Sequence, residues 1–122
     1  LALINLVVLL YFGLGDGLLS PKVDNNITLS EYIFISIPIQ QFIYYGYLYS
    51  RLRKITQNRV IIAITIGLLF GAMHIPWDSV VLVGIATILG TLWAWLYSKQ
   101  PNLWVVILSH EIIGFTAYLA LQ

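Results

Sequence analysis

The sequence predicts an all-α protein, a polytopic bundle of about five transmembrane helices. Three observations carry this. Of 122 residues, 60% are hydrophobic and only 9% are charged, where a water-soluble domain carries about 25% charged residues. The mean hydropathy is +0.90. The apolar stretches are broken at regular intervals by short polar clusters, and each stretch is close to the ~20 residues a spanning helix needs. A chain this poor in charge cannot cover a soluble surface, and it has too many apolar residues to be disordered. The net charge of +1 provides no phosphate-tracking surface, which excludes nucleic acid as a partner. The absence of cysteine excludes disulfide, thiol redox and thiolate–metal chemistry.

The elements follow from the punctuation. A first span covers residues 1–19 and is closed by Ser20, Pro21 and Lys22, with Asp24, Asn25 and Asn26 beyond. It has neither the charged start nor the small-residue cleavage site of a signal peptide. Because the chain begins at Leu1, already inside an apolar run, further residues are expected to precede it. A second span covers residues 29–50 and ends at Arg51, Arg53 and Lys54. A third covers residues 60–75 and stops at Pro76, Trp77 and Asp78. A fourth, residues 79–97, precedes Lys99, Gln100, Pro101 and Asn102. The fifth covers residues 103–121. All 122 residues are read as one membrane domain.

Loop charge sets an orientation. Arg51, Arg53, Lys54 and Arg59 lie between the second and third spans and Lys99 between the fourth and fifth, whereas the opposite side has only Lys22. The positive-inside rule then places the N-terminus inside and the C-terminus outside. Trp77 on one side, and Trp95, Tyr97 and Trp104 on the other, match interfacial aromatic belts.

Polar side chains at membrane depth are costly and point to function or to packing. Asp16 lies among Gly13, Gly15 and Gly17, where it can cap a helix end. Gln40 and Gln41 follow Pro38 in the middle of the second span. His74 stands near the outer end of the third, and His110 with Glu111 near the middle of the fifth. Ser36, Gln40, Tyr44 and Tyr47 are spaced to form one stripe on a helix, so three spans offer polar groups to a common centre. Any one of these residues can equally serve as a simple inter-helix hydrogen bond worth about 0.6–2 kcal/mol. Glu31 reads as a helix N-terminal residue favoured by the dipole.

The order Gln40-Gln41-x-x-x-Tyr45-Gly46-Tyr47-Leu48, Phe70-x-x-x-His74, then His110 in the last span resembles the CAAX protease and bacteriocin-processing family (CPBP, or ABI). These are intramembrane endopeptidases related to the type II CAAX prenyl proteases. Gly90, Leu96-Tyr97, Pro101-Asn102-Leu103-Trp104 and Ile107-Leu108-Ser109 add to the likeness, which covers a core of residues 29–121. The family pattern is Glu-Glu-x-x-x-Arg-Gly, Phe-x-x-x-His and His-x-x-x-Asn or Asp. Here Gln40 and Gln41 stand at both glutamate positions, Tyr45 at the arginine and Gly114 at the Asn or Asp. Of the polar set implied to be catalytic, His74 and His110 remain.

The resemblance implies that the first glutamate activates the attacking water while the histidines orient it and stabilise the oxyanion. A glutamine amide can hold a water but cannot deprotonate it, and losing a general base costs about 10²–10⁴-fold in rate. Glu111 is a candidate substitute acid, but neighbouring helical residues point about 100° apart, which keeps it and His110 off one water. Two histidines with one misdirected carboxylate are also a poor metal set. The expected function is therefore a catalytically silent membrane protein, an accessory or binding subunit that engages the lipid bilayer and other membrane subunits or a membrane peptide. Small residues on the fourth span (Gly84, Ala86, Gly90, Ala94) would permit such docking. The alternatives are an active endopeptidase using Glu111, and a subunit that holds haem or a pigment through His74 or His110.

Overall fold

A computed structural model describes residues 28–120, with the side chain of Ala120 left aside; the expected first span and Asp16 lie outside the described residues. These residues form four helices and contain no strand. We label them α1 (residues 29–55), α2 (Arg59–Ala72), α3 (Val80–Lys99) and α4 (Leu103–Ala120). Two of the segments, Arg59–Trp77 and Val80–Lys99, are long and apolar enough to cross a membrane.

Each helix starts at a residue whose side chain accepts the otherwise unpaired first N–H groups. Thr28 and Glu31 make a reciprocal capping box on α1, which accounts for Glu31 as a helix-start residue. Asn58 Oδ1 accepts from Val60 and Ile61 on α2, Ser79 Oγ from Leu82 on α3, and Asn102 Oδ1 from Trp104 and Val105 on α4.

α1 runs five residues beyond the expected end of the second span. Arg51, Arg53 and Lys54 continue the helix rather than forming the loop, and Thr56 ends it in extended conformation. Within α1, Tyr32–Ser36 and Phe42–Leu48 wind as π-helix around the α-helical Ile37–Gln41. Pro38 has no N–H to give to the preceding turn, and the wider i→i+5 ring of the first π segment accompanies that gap. The wider winding also changes the phase. Ser36, Gln40 and Tyr44 keep one face, but Tyr47 turns outward, is 55% exposed and carries Arg51 over its ring at 5.0 Å. The four-residue stripe expected from 3.6-residue periodicity is therefore a three-residue one.

α2 and α3 form the closest pair. A Cβ added at Gly67 would lie 1.9 Å from Thr91 Oγ1 and 2.7 Å from the carbonyl oxygen of Thr87. One at Gly71 would lie 1.8 Å from Thr87 Oγ1 and 2.9 Å from the carbonyl oxygen of Val83. Only glycine lets the two backbones come this near, the small-residue logic of helix pairs in lipid. Thr87 and Thr91 return their hydroxyls to Val83 and Thr87 in their own helix, so neither is left unsatisfied. Ala86, Gly90 and Ala94 are buried inside the bundle. The small residues that could have served outward docking are thus used internally, apart from Gly84, which faces open space.

α4 runs antiparallel to α1. Gly114 meets Tyr32 and Ile37, and His110 meets Gln41. This topology gathers Arg51, Arg53, Lys54, Arg59 and Lys99 at one end of the bundle and Glu31 and Asp78 at the other. Large apolar side chains such as Phe34, Leu68, Ile88 and Leu108 point outward, as helices in a lipid solvent require.

Substituting Gly67 by alanine should cost about 3 kcal/mol, the upper end of overpacking costs, because the backbone of Thr87 cannot give way. Gly84→Ala should be neutral or mildly stabilising, since alanine is the better helix former. Unfolding titrations in detergent check the pair; equal effects at the two positions would contradict the close α2–α3 approach.

Candidate functional site

The polar centre is built where α1 crosses α4. Gln41 is fully buried and His110 is 6% exposed. The Gln41 amide Nε2 donates to His110 Nδ1. With the amide nitrogen turned to the ring, Nδ1 is the acceptor and the His110 proton sits on Nε2. The ring is held on both sides: Trp93 of α3 lies 5.0 Å away in a tilted stack and Phe70 of α2 meets it edge-on at 5.6 Å. All four helices therefore contribute to the setting of one imidazole.

His74 is placed differently from its expected position in the third span. α2 ends at Ala72, and His74 sits in the following turn with φ −90° and ψ 0°. Its Nδ1 donates to the carbonyl oxygen of Phe70 at 2.8 Å. The side chain thus satisfies one of the carbonyls that every helix leaves over at its C-terminus. That bond puts the proton on Nδ1 and leaves a lone pair on Nε2, the reverse of His110. Trp77 packs 5.6 Å from His74, and Phe70 stands against both histidines, 5.0 Å from His74. Asp78, left-handed at φ 56°, closes the turn Ile75–Trp77 that holds His74 in this position.

Gln40 does not face His110. Its Nε2 donates to Ser36 Oγ at 2.9 Å within α1. The Oε1 atoms of Gln40 and Gln41 are both buried without a hydrogen-bond partner among the described residues, an uncommon condition that costs about 1–3 kcal/mol for each group. Glu111 is half-buried and forms no hydrogen bond or ion pair among the described residues. Among the described residues, no group of three His, Asp or Glu side chains converges there to hold a metal ion.

Two further positions complete the centre. Tyr45 is fully buried and donates its hydroxyl to the carbonyl oxygen of Gly90 at 3.0 Å, tying α1 to α3. Tyr44 donates to the carbonyl oxygen of Leu69 at 3.2 Å, tying α1 to α2. At Gly114 a Cβ would lie 2.9 Å from Tyr32 Oη, 3.0 Å from Tyr32 Cε1 and 3.1 Å from Ile37 Cδ1. The space for a side chain at position 114 is already filled from α1. Sequence reading passes over Tyr32, although it stands four residues before Ser36 and so extends the polar stripe by one turn.

Chemically, the centre offers a donor at His110 Nε2, an acceptor at His74 Nε2 and the Gln41 amide oxygen. Its two histidines can orient a polar group, but neither glutamine can take up a proton.

A helical membrane protein with a buried amide–imidazole pair is the class these features define. The model of the type II CAAX prenyl endopeptidase Rce1-like family matches residues 25–116, and the chain belongs to that family. Neither the curated proteins nor the solved structures contain a match.

The fit at position 114 has a direct test. Gly114→Asn should destabilise by about 1–3 kcal/mol through crowding. Tyr32→Leu should destabilise alone but absorb most of the second cost in the double variant, giving a coupling of at least about 0.5 kcal/mol. Additive unfolding free energies would show that Tyr32 does not occupy this space.

Proposed function

We propose that this chain is a non-cleaving member of its family, a multi-pass membrane subunit that keeps the protease scaffold for binding. The observation that carries this reading is the Gln41–His110 hydrogen bond. A glutamate at position 41 would accept from Nδ1 and leave Nε2 of His110 as a proton acceptor. Glutamine instead donates to Nδ1, so the far nitrogen of His110 becomes a donor. The centre is uncharged and has no carboxylate at positions 40 and 41 to act as general base, and its ring acceptor is His74 Nε2, held at the end of α2.

The surroundings favour the same reading. Tyr45 and Tyr32 occupy the neighbourhood of the two other positions at which this chain departs from the family pattern. Each is packed as a structural element, Tyr45 with a hydrogen bond across the bundle. Glu111 is the one carboxylate near this depth among the described residues, and it follows His110 immediately along α4, so its side chain leaves the helix in another direction. We assign five spans to the chain, with the N-terminus and the basic loops inside. The partner is a membrane peptide or a second membrane subunit held without being cut.

The test is a cleavage assay on the purified protein reconstituted in lipid, with a prenylated CAAX-type peptide as substrate. The expected result is no cleavage above background, unchanged in His110→Ala, because the missing base is worth about 10²–10⁴-fold. Cleavage abolished by His110→Ala or Glu111→Gln would overturn the non-cleaving reading and establish an endopeptidase with an unusual base.

A further inference from the structure

Outside the centre, the packing of the bundle leaves an apolar recess. α3 is drawn onto α2 by Gly67 and Gly71, and α4 is tied to α1 by the Gln41–His110 bond, so α3 and α4 touch at few residues. Between them lies an apolar groove of about 590 Å³, within the ~300–1,000 Å³ usual for ligand sites. Trp93, Val106 and Ile113 line its interior, and Lys99, Gln100 and Asn102 its mouth.

We propose that this groove seats one acyl chain of an anionic phospholipid whose headgroup is held at Lys99, Gln100 and Asn102. Length is the first support. From Asn102 to Ile113 the groove follows α4 for about 16 Å at 1.5 Å per residue, roughly half of a ~30 Å hydrocarbon core and so one leaflet deep. Charge is the second. The mouth opens at the end of the bundle that bears Arg51, Arg53, Lys54, Arg59 and Lys99, while Glu31 and Asp78 lie at the opposite end. Among the described residues, an anionic headgroup therefore meets cations and no carboxylate there. The rim is also suited to the headgroup level. Lys99 Nζ is held 3.5 Å from the centre of the Trp95 ring, at the mouth rather than extended into water. Asn102 uses its Oδ1 to cap α4, which leaves its amide N–H groups as donors. The walls carry little polar surface, so water is a poor occupant.

The test is native mass spectrometry of the protein released from bilayers of equal phosphatidylglycerol and phosphatidylcholine. The unmodified protein should retain one phosphatidylglycerol about fivefold over phosphatidylcholine, the preference expected of one basic residue at an anionic surface. Lys99→Gln should bring the ratio to near parity, and Lys54→Gln should leave it unchanged. Val106→Trp, which fills the groove, should reduce retention of both lipids. As a check that needs no substitution, phosphatidylglycerol with a photoactivatable acyl chain should crosslink to peptides containing Val106 and Ile113.

Four results would overturn the proposal. They are equal retention of the two lipids, equal losses from Lys99→Gln and Lys54→Gln, and crosslinks spread evenly over all helices. The fourth is displacement by a free isoprenoid alcohol with no effect of Lys99→Gln, which would make the groove a prenyl site. Crosslinks absent from the groove, with residues 1–27 protecting it from labelling, would assign it to the chain's own N-terminal part.

Discussion

The hydrogen bond from the Gln41 amide to the His110 imidazole joins the first and last described helices at a point where both side chains are buried. In such surroundings a polar side chain without a partner is expensive, so each of these residues requires the other. The bond also decides chemistry. It sets the tautomer of His110, and with it whether the ring shows a donor or an acceptor toward the rest of the centre. Trp93 and Phe70 hold the ring in that attitude. Residue 41 thus governs both helix placement and proton placement.

The frame around that bond comes from a different kind of contact. Gly67 and Gly71 bring α2 and α3 to backbone distance, with Thr87 and Thr91 filling the seam. Phe70, one turn after Gly67 and next to Gly71, is then presented to His110 and His74 together. The same close approach leaves α3 turned away from α4, and the groove between them follows from it. Stability at one seam and a recess at the other are two results of one packing choice. The buried oxygens of Gln40 and Gln41 have no counterpart in this scheme. They mark the place where the packing of the bundle and the hydrogen-bonding needs of its side chains do not match, as is common at sites retained for binding.

Much of this was legible beforehand, for physical reasons. Helices α2, α3 and α4 begin and end close to the expected spans, because Asn58, Ser79 and Asn102 are strong caps and the clusters at Pro76 and Pro101 cannot continue a helix. That the second and fifth spans bring polar groups to one depth is legible too, but not that Gln41 pairs with His110. What could not be read was rotational phase. In lipid nearly every helix face is apolar, so periodicity does not say which way a residue points. Hence Tyr47 was assigned to a stripe it leaves, Gln40 to a centre it does not face, and Ala86, Gly90 and Ala94 to an outer surface. The π winding of α1 and the filling of the Gly114 space by Tyr32 depend on contacts between residues far apart in sequence. No local pattern announces them.

The central claim is that residue 41 donates to His110, so that His110 keeps its proton on Nε2. Solid-state NMR of the ¹⁵N-labelled protein in lipid bilayers reads this directly from the two ring nitrogens. The account predicts an unprotonated Nδ1 coupled to the side-chain nitrogen of Gln41, a protonated Nε2, and exchange of the two states in Gln41→Glu. A proton on Nδ1 in the unmodified protein would contradict it and would return His110 to the role of an acceptor.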